Sequence, residues 1–141
     1  EPTTNNQQPT TNNEPPTSTL VLGPLGRHPA GEVLQRFHAA LLAGNIPAIA
    51  GSFTPDARMN SLRGREEITD HFRSALIPAS ARQVSLKALR LGRADDGWRV
   101  EAEFEVRADR DGAGLTLMTG RSNFWLAERG DRLMITRIEP E

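Results

Sequence analysis

The chain has no cysteine among its 141 residues. This excludes disulfides, thiolate nucleophiles and the common cysteine-based zinc sites. No apolar run approaches the roughly 20 residues a helix needs to cross a bilayer, and no secretory signal pattern is present. Any membrane anchor is therefore expected upstream, with no direct membrane insertion by this fragment. Charge of one sign is also lacking: Lys+Arg number 17 and Asp+Glu 18, for a net charge of -1. Glu1, Glu14 and Arg27 are the charged residues ahead of position 30, so the remainder is balanced. Binding to nucleic acid through counterion release is not expected of such a surface.

Residues 1–19 lack apolar side chains other than proline, holding six Thr, four Asn, four Pro, two Gln, two Glu and one Ser. Such a segment cannot bury enough surface to offset its conformational entropy, so it is expected to be disordered. It contains a near-tandem repeat, "PTTNNQQ" then "PTTNNEP", which reads as a spacer. The expected organisation is a Thr/Asn/Pro-rich linker over 1–29 and one domain over 30–141, within the size of a single core. The start at Glu1 without Met adds the expectation of a larger parent protein preceding the linker.

From residue 30 the apolar spacing changes. Val33, Leu34, Phe37, Leu41 and Leu42 share one helical face, ended by Gly44 and Asn45. "IPAIAGSF" predicts a second, shorter helix with Pro47 in its first turn. "DARMNS" predicts a strand, and "GREEITDHFRSAL" a third helix with Glu66 and Glu67 where the helix dipole favours anions. Trp98, Val100, Ala102, Phe104 and Val106 alternate with charged residues, the pattern of a half-buried antiparallel strand. "RQVSLKALRLGR" precedes it as a strand, and "LTLMTGRSNFWLAE" and "LMITRI" follow, joined by polar turns. Helices first and strands after indicate an α+β domain with an antiparallel sheet.

"VLQRFHAALLAGNIPAIAGSFTPDARM" followed by "GREEITDHF" resembles the nuclear-transport-factor-2-like superfamily, which includes ketosteroid isomerases and SnoaL-like cyclases. The resemblance spans roughly residues 30–139. It implies a cone-shaped, cystatin-like fold, three N-terminal helices on a curved antiparallel sheet, with an apolar pocket and frequent dimerisation through the outer sheet face. The isomerase chemistry needs a carboxylate base and two hydroxyl-type donors to an enolate oxygen. Phrase by phrase, the resemblance puts the tyrosine donor on Phe37, which has no hydroxyl, the base on Ser61, whose hydroxyl is not basic near neutral pH, and the protonated aspartate on Ser122, so the family's residue is missing at all three positions. No catalytic residue is therefore expected.

The pocket is expected to be lined by Phe37, Met59, Ser61, Phe72, Phe104, Met118, Ser122 and Phe124. Asp56 reads as a Pro-Asp turn residue, His38 as a helix-flank or satisfied, partly buried histidine, His71 as part of a solvated helix face, and Arg63 and Arg65 as a solvated helix start. If Ser122 and Phe124 face the pocket, Arg121, Asn123 and Trp125 face outward and form a candidate interface; a register slip of one residue would make Trp125 core instead. No cofactor and no metal site is expected.

The functional expectation is a non-catalytic domain that binds a partner domain or a small apolar ligand for its parent protein. An enzyme of the same superfamily acting on a small apolar substrate, and an oligomerisation module, are the alternatives. The spacer composition resembles linkers of anchored extracytoplasmic bacterial domains, which points to a periplasmic location, with a cytoplasmic one as the alternative.

Overall fold

In a computed structural model, which describes residues 18–79, 81–95, 97–110 and 113–140, the first apolar stripe becomes helix α1, Pro29–Ala43. The Nδ1 of His28 accepts the Ala30 N–H at 3.0 Å, and Pro29 occupies the position where a missing N–H costs nothing. Gly44 ends the helix at φ 65°, a left-handed conformation that favours glycine. Helix α2, Ile46–Gly51, starts at once, capped by the Asn45 side chain. Helix α3, Arg65–Leu76, buries Ile68, Thr69, Phe72 and Leu76.

The strands are β1 Thr19–Val21, β2 Phe53–Met59, β3 Leu62–Arg63, β4 Ala81–Ala94, β5 Gly97–Arg110, β6 Ala113–Met118, β7 Arg121–Arg129 and β8 Arg132–Pro140. They form one sheet in the order β1-β4-β5-β7-β8-β2-β3, with β6 also paired to β5. The class is α+β with three α-helices and a large, mostly antiparallel sheet, as expected. Two details differ. The β1/β4 and β2/β8 pairs are parallel, because each joins segments far apart in the chain through long connections. The helices are not all N-terminal either, since β2 and β3 separate α2 from α3.

The folded unit also reaches ahead of residue 30. β1 pairs with β4, and Leu25, in a 3-10 turn over Gly23–Leu25, is fully buried. Residues 1–17, where most of the expected linker lies, fall outside the described residues. The expected single strand "LTLMTGRSNFWLAE" is broken at Gly120, whose φ of 99° is accessible to glycine at little cost. As a result β7 pairs with the first half of β5 and β6 with the second.

Register shifts interrupt the pairing between Phe53 and Arg58, Ala88 and Arg90, Val106 and Arg107, and Trp125 and Leu126. Such bulges raise local twist and bend the strand, which curves the sheet around the helices. One cation ties the two layers together. The Arg82 guanidinium donates to Leu42 O and to Leu76 O, both at 3.1 Å, closing the C-terminal ends of α1 and α3 from β4. Arg82→Ala leaves both carbonyls without this donor and is expected to cost about 1–3 kcal/mol in urea unfolding.

Candidate functional site

Inside the cone all five phenylalanines of the chain meet. Phe37, on the inward face of α1, is the centre: its ring lies 5.4 Å from Phe53, 6.1 Å from Phe72, 6.0 Å from Phe104 and 6.5 Å from Phe124, centroid to centroid. Most of these contacts are edge-to-face, the arrangement that ring quadrupoles favour. Met59 and Met118 are buried beside them, and Ser122 is buried on the same inner face. These residues fill the interior. Five open hollows among the described residues are walled by other residues than Phe37, Phe53, Phe72 and Phe124.

Ser61 does not join this set. It is exposed in the turn between β2 and β3, because β2 ends at Met59 and Asn60 takes a positive φ of 55° to begin the hairpin. The expectation that it faces a pocket is corrected accordingly. The other polar candidates are spoken for locally. His38 places Nε2 2.8 Å from Val84 O, so it donates to the β4 backbone and holds α1 on the sheet. His71 is exposed at the edge of the Phe72 ring. Asp56 is exposed within β2, in the stretch where its pairing to β8 shifts register, so the Pro-Asp step shapes a bulge in a strand and not a free turn. Arg65 donates twice to Phe53 O, at 3.1 and 2.7 Å. Among the described residues no three His, Asp or Glu side chains are grouped to hold a metal ion.

The outer face of the sheet is different in character. Alternation along β7 sends Ser122 and Phe124 inward and Arg121, Asn123 and Trp125 outward, which settles the register in favour of Trp125 on the outer face. Cross-strand pairing then sets out a row: Arg58 on β2 opposite Arg137 on β8, Arg137 opposite Trp125 on β7, Trp125 opposite Arg99 on β5, and Arg99 opposite Gly92 on β4. Arg137 stacks on the Trp125 indole at 4.5 Å and donates to Glu139 at 2.7 Å. Its hydrogen bond holds the Glu139 carboxyl below the usual carboxylate range.

The row borders an open hollow of about 460 Å³ lined by Arg58, Arg93, Asp95, Arg99, Trp125 and Arg137, among others. The next row carries Glu101, 8% exposed, between Arg90 Nε at 3.7 Å and Arg121 Nη1 at 3.4 Å. Trp125 and Arg121 were legible in the sequence. Arg58, Arg99 and Arg137 were not, because they come together through the lateral order β5-β7-β8-β2, which no local pattern encodes.

Among solved structures, the chain is similar to a provisionally named scytalone dehydratase of Novosphingobium aromaticivorans, with a TM-score of 0.68 and 9% identity over 83% of each chain. It is similar to a provisionally named dehydratase of Streptomyces avermitilis, described as from the NTF2-like family, at TM-score 0.65 and 12% identity, covering 80% of this chain and 93% of that one. The fold is nuclear-transport-factor-2-like. A structure from Catenulispora acidiphila aligns with this NTF2-like domain at TM-score 0.66 and 19% identity, over 84% and 92% of the two chains. No protein-family model matches the sequence, and no curated protein matches it significantly. The NTF2-like cone is thus shared in shape with these neighbours, and the interior of this one is packed with rings.

Proposed function

We propose that this NTF2-like domain is a non-catalytic interaction module, carried on a polar spacer, that meets its partner on the sheet exterior. The observation that carries this reading is the ring-filled interior: Phe37, Phe53, Phe72, Phe104 and Phe124 are each at most 1% exposed and pack on one another. Proton transfer beside a carbonyl needs a base within hydrogen-bond reach of the bound substrate. Among the described residues the buried polar side chains are His38, Thr54, Thr69, Glu101 and Ser122. Of these, His38 is bonded to the Val84 carbonyl, Thr69 to the Arg65 carbonyl, and Glu101 is on the outer sheet face between two arginines. A substrate entering the cone would have to displace ring contacts worth about 0.5–1.5 kcal/mol each beyond their area burial.

The dehydratase names of two fold neighbours define the competing reading, a lyase or isomerase. Purified protein incubated with a hydroxylated aromatic ketone, and separately with a β,γ-unsaturated ketosteroid, is expected to show no ultraviolet absorbance change above the buffer rate. Turnover that disappears in Ser122→Ala or His38→Ala, with the fold intact by circular dichroism, would replace the module with an enzyme.

A further inference from the structure

We infer that the arginine row around Trp125 is a docking site for an acidic, extended segment of a protein partner. This rests on the reading of the domain as an interaction module and adds the chemistry of what it binds. The hollow is lined by Arg58, Arg93, Arg99 and Arg137 and, of acidic residues, by Asp95, in a protein whose net charge is -1. The Arg93 guanidinium is stacked on Trp98, 4.7 Å from its ring, which leaves Arg58, Arg99 and Arg137 as the row. Like charges directly opposite one another on a sheet are destabilising, yet Arg58 stands opposite Arg137. Among the described residues Arg58 and Arg99 close no ion pair within 4 Å, whereas Arg137 is shared with Glu139. Glu139 is bonded to Arg137 and is also near enough to Arg58 to feel its charge, so the row holds one carboxylate of its own, and the positive charge beyond it, on Arg99 above all, is left for an anion from outside.

The geometry selects the form of that anion. Arg58 and Arg99 stand on strands three places apart, β2 and β5, with β8 and β7 between them. At a strand spacing of about 4.8 Å their backbones are about 14 Å apart, the reach of about four residues of extended peptide. Trp125, half-buried and fixed under the Arg137 guanidinium, stands between them as an apolar step. The row ends at Gly92, where a Cβ would meet nothing within 4 Å, so the hollow stays open for a chain to leave. Two carboxylates about four residues apart, flanking an apolar side chain, fit this surface. A second copy of the domain fits it poorly, since a two-fold interface centred here would press the arginine row against itself.

The test uses a short fluorescein-labelled peptide with two glutamates about four residues apart around a leucine, titrated at low ionic strength and followed by anisotropy. The controls are the same peptide with lysines in place of the glutamates and a labelled single-stranded oligonucleotide. The expected result is saturable binding of the acidic peptide, none of the lysine peptide, and weakening by about 10-fold or more in Arg99→Glu and in Arg58→Glu. Both arginines are exposed, and their variants are expected to melt as the parent does.

Absence of saturation at about 1 mM peptide, far beyond a useful affinity, would overturn the assignment. So would tighter binding of the oligonucleotide, or a sedimenting dimer that Arg99→Glu converts to monomer. Peptide failure with a silent turnover assay ends this assignment and leaves the module reading standing. Turnover ends the module reading whatever the peptide does.

Discussion

Gly97→Ala is expected to destabilise the domain by about 3 kcal/mol or more, seen as a lowered urea midpoint with an unchanged slope. A Cβ at this position would stand 1.9 Å from the Leu126 carbonyl oxygen and 2.9 Å from the Ala127 Cα. Both are backbone atoms, so no side chain can rotate away, and either β5 or β7 must move. Gly97 pairs with Ala127 at the first rung of the β5–β7 ladder, which runs without a register shift to Glu103 and Arg121. The glycine is thus required by the approach of another backbone, one of the uses of glycine inside a strand.

Displacement there would also reach the outer face, because Trp98 and then Arg99 follow directly and Arg99 pairs with Trp125. Gly97→Ala should thus weaken any ligand of the arginine row while the domain is still folded. Gly51→Ala is the matched control. Its Cβ would meet nothing within 4 Å, and it closes α2, so an effect between neutral and a gain of up to about 1 kcal/mol is expected. Equal effects from the two substitutions would mean that the close approach at Gly97 is not what holds this corner together.

The sequence read as a pattern anticipates this corner only in part. The alternation from Trp98 to Val106 identifies β5 and which of its residues face inward, and the "ADDG" tract identifies the turn before it. Nothing in the tract distinguishes a glycine needed for a turn from one needed because another backbone lies against it. That requirement comes from β7, roughly thirty residues later in the chain, through long-range pairing. The same limit explains Ser61. A strand continued for two residues beyond Met59 would have placed it inward by alternation, but the chain turns at Asn60. Helix positions were legible because their period and stop signals are local: the apolar spacing from residue 30 and the Gly44-Asn45 stop place α1 within a residue of Pro29–Ala43. The arginine row was illegible for the opposite reason, since its members are spread from position 58 to 137 and share only a place in the sheet order.

The interior yields the second large effect. Phe37→Ala is expected to cost about 3–5 kcal/mol, because the ring is fully buried and its removal takes the shared partner from Phe53, Phe72, Phe104 and Phe124 together. The four remaining rings come from β2, α3, β5 and β7, which the sheet and helices hold apart, so the site should collapse only partly. An apolar cavity walled by such rings should stay dry and accept a small aromatic molecule. Benzene or indole should therefore raise the melting temperature of Phe37→Ala and leave that of the parent unchanged.

Phe37→Tyr separates packing from chemistry. A hydroxyl added to a ring surrounded by other rings enters a site without an evident acceptor, so a loss of about 1–3 kcal/mol is expected. If the tyrosine variant were instead as stable as the parent, its hydroxyl would have found a buried partner, with the unpartnered Thr54 Oγ1 as the first to examine. The interior would then still hold the polar contacts that catalysis in a cone requires. Loss in the tyrosine variant, together with aromatic binding only after Phe37 is truncated, would place the obstacle to interior chemistry in the rings themselves. The outer sheet face would then be the surface left for function.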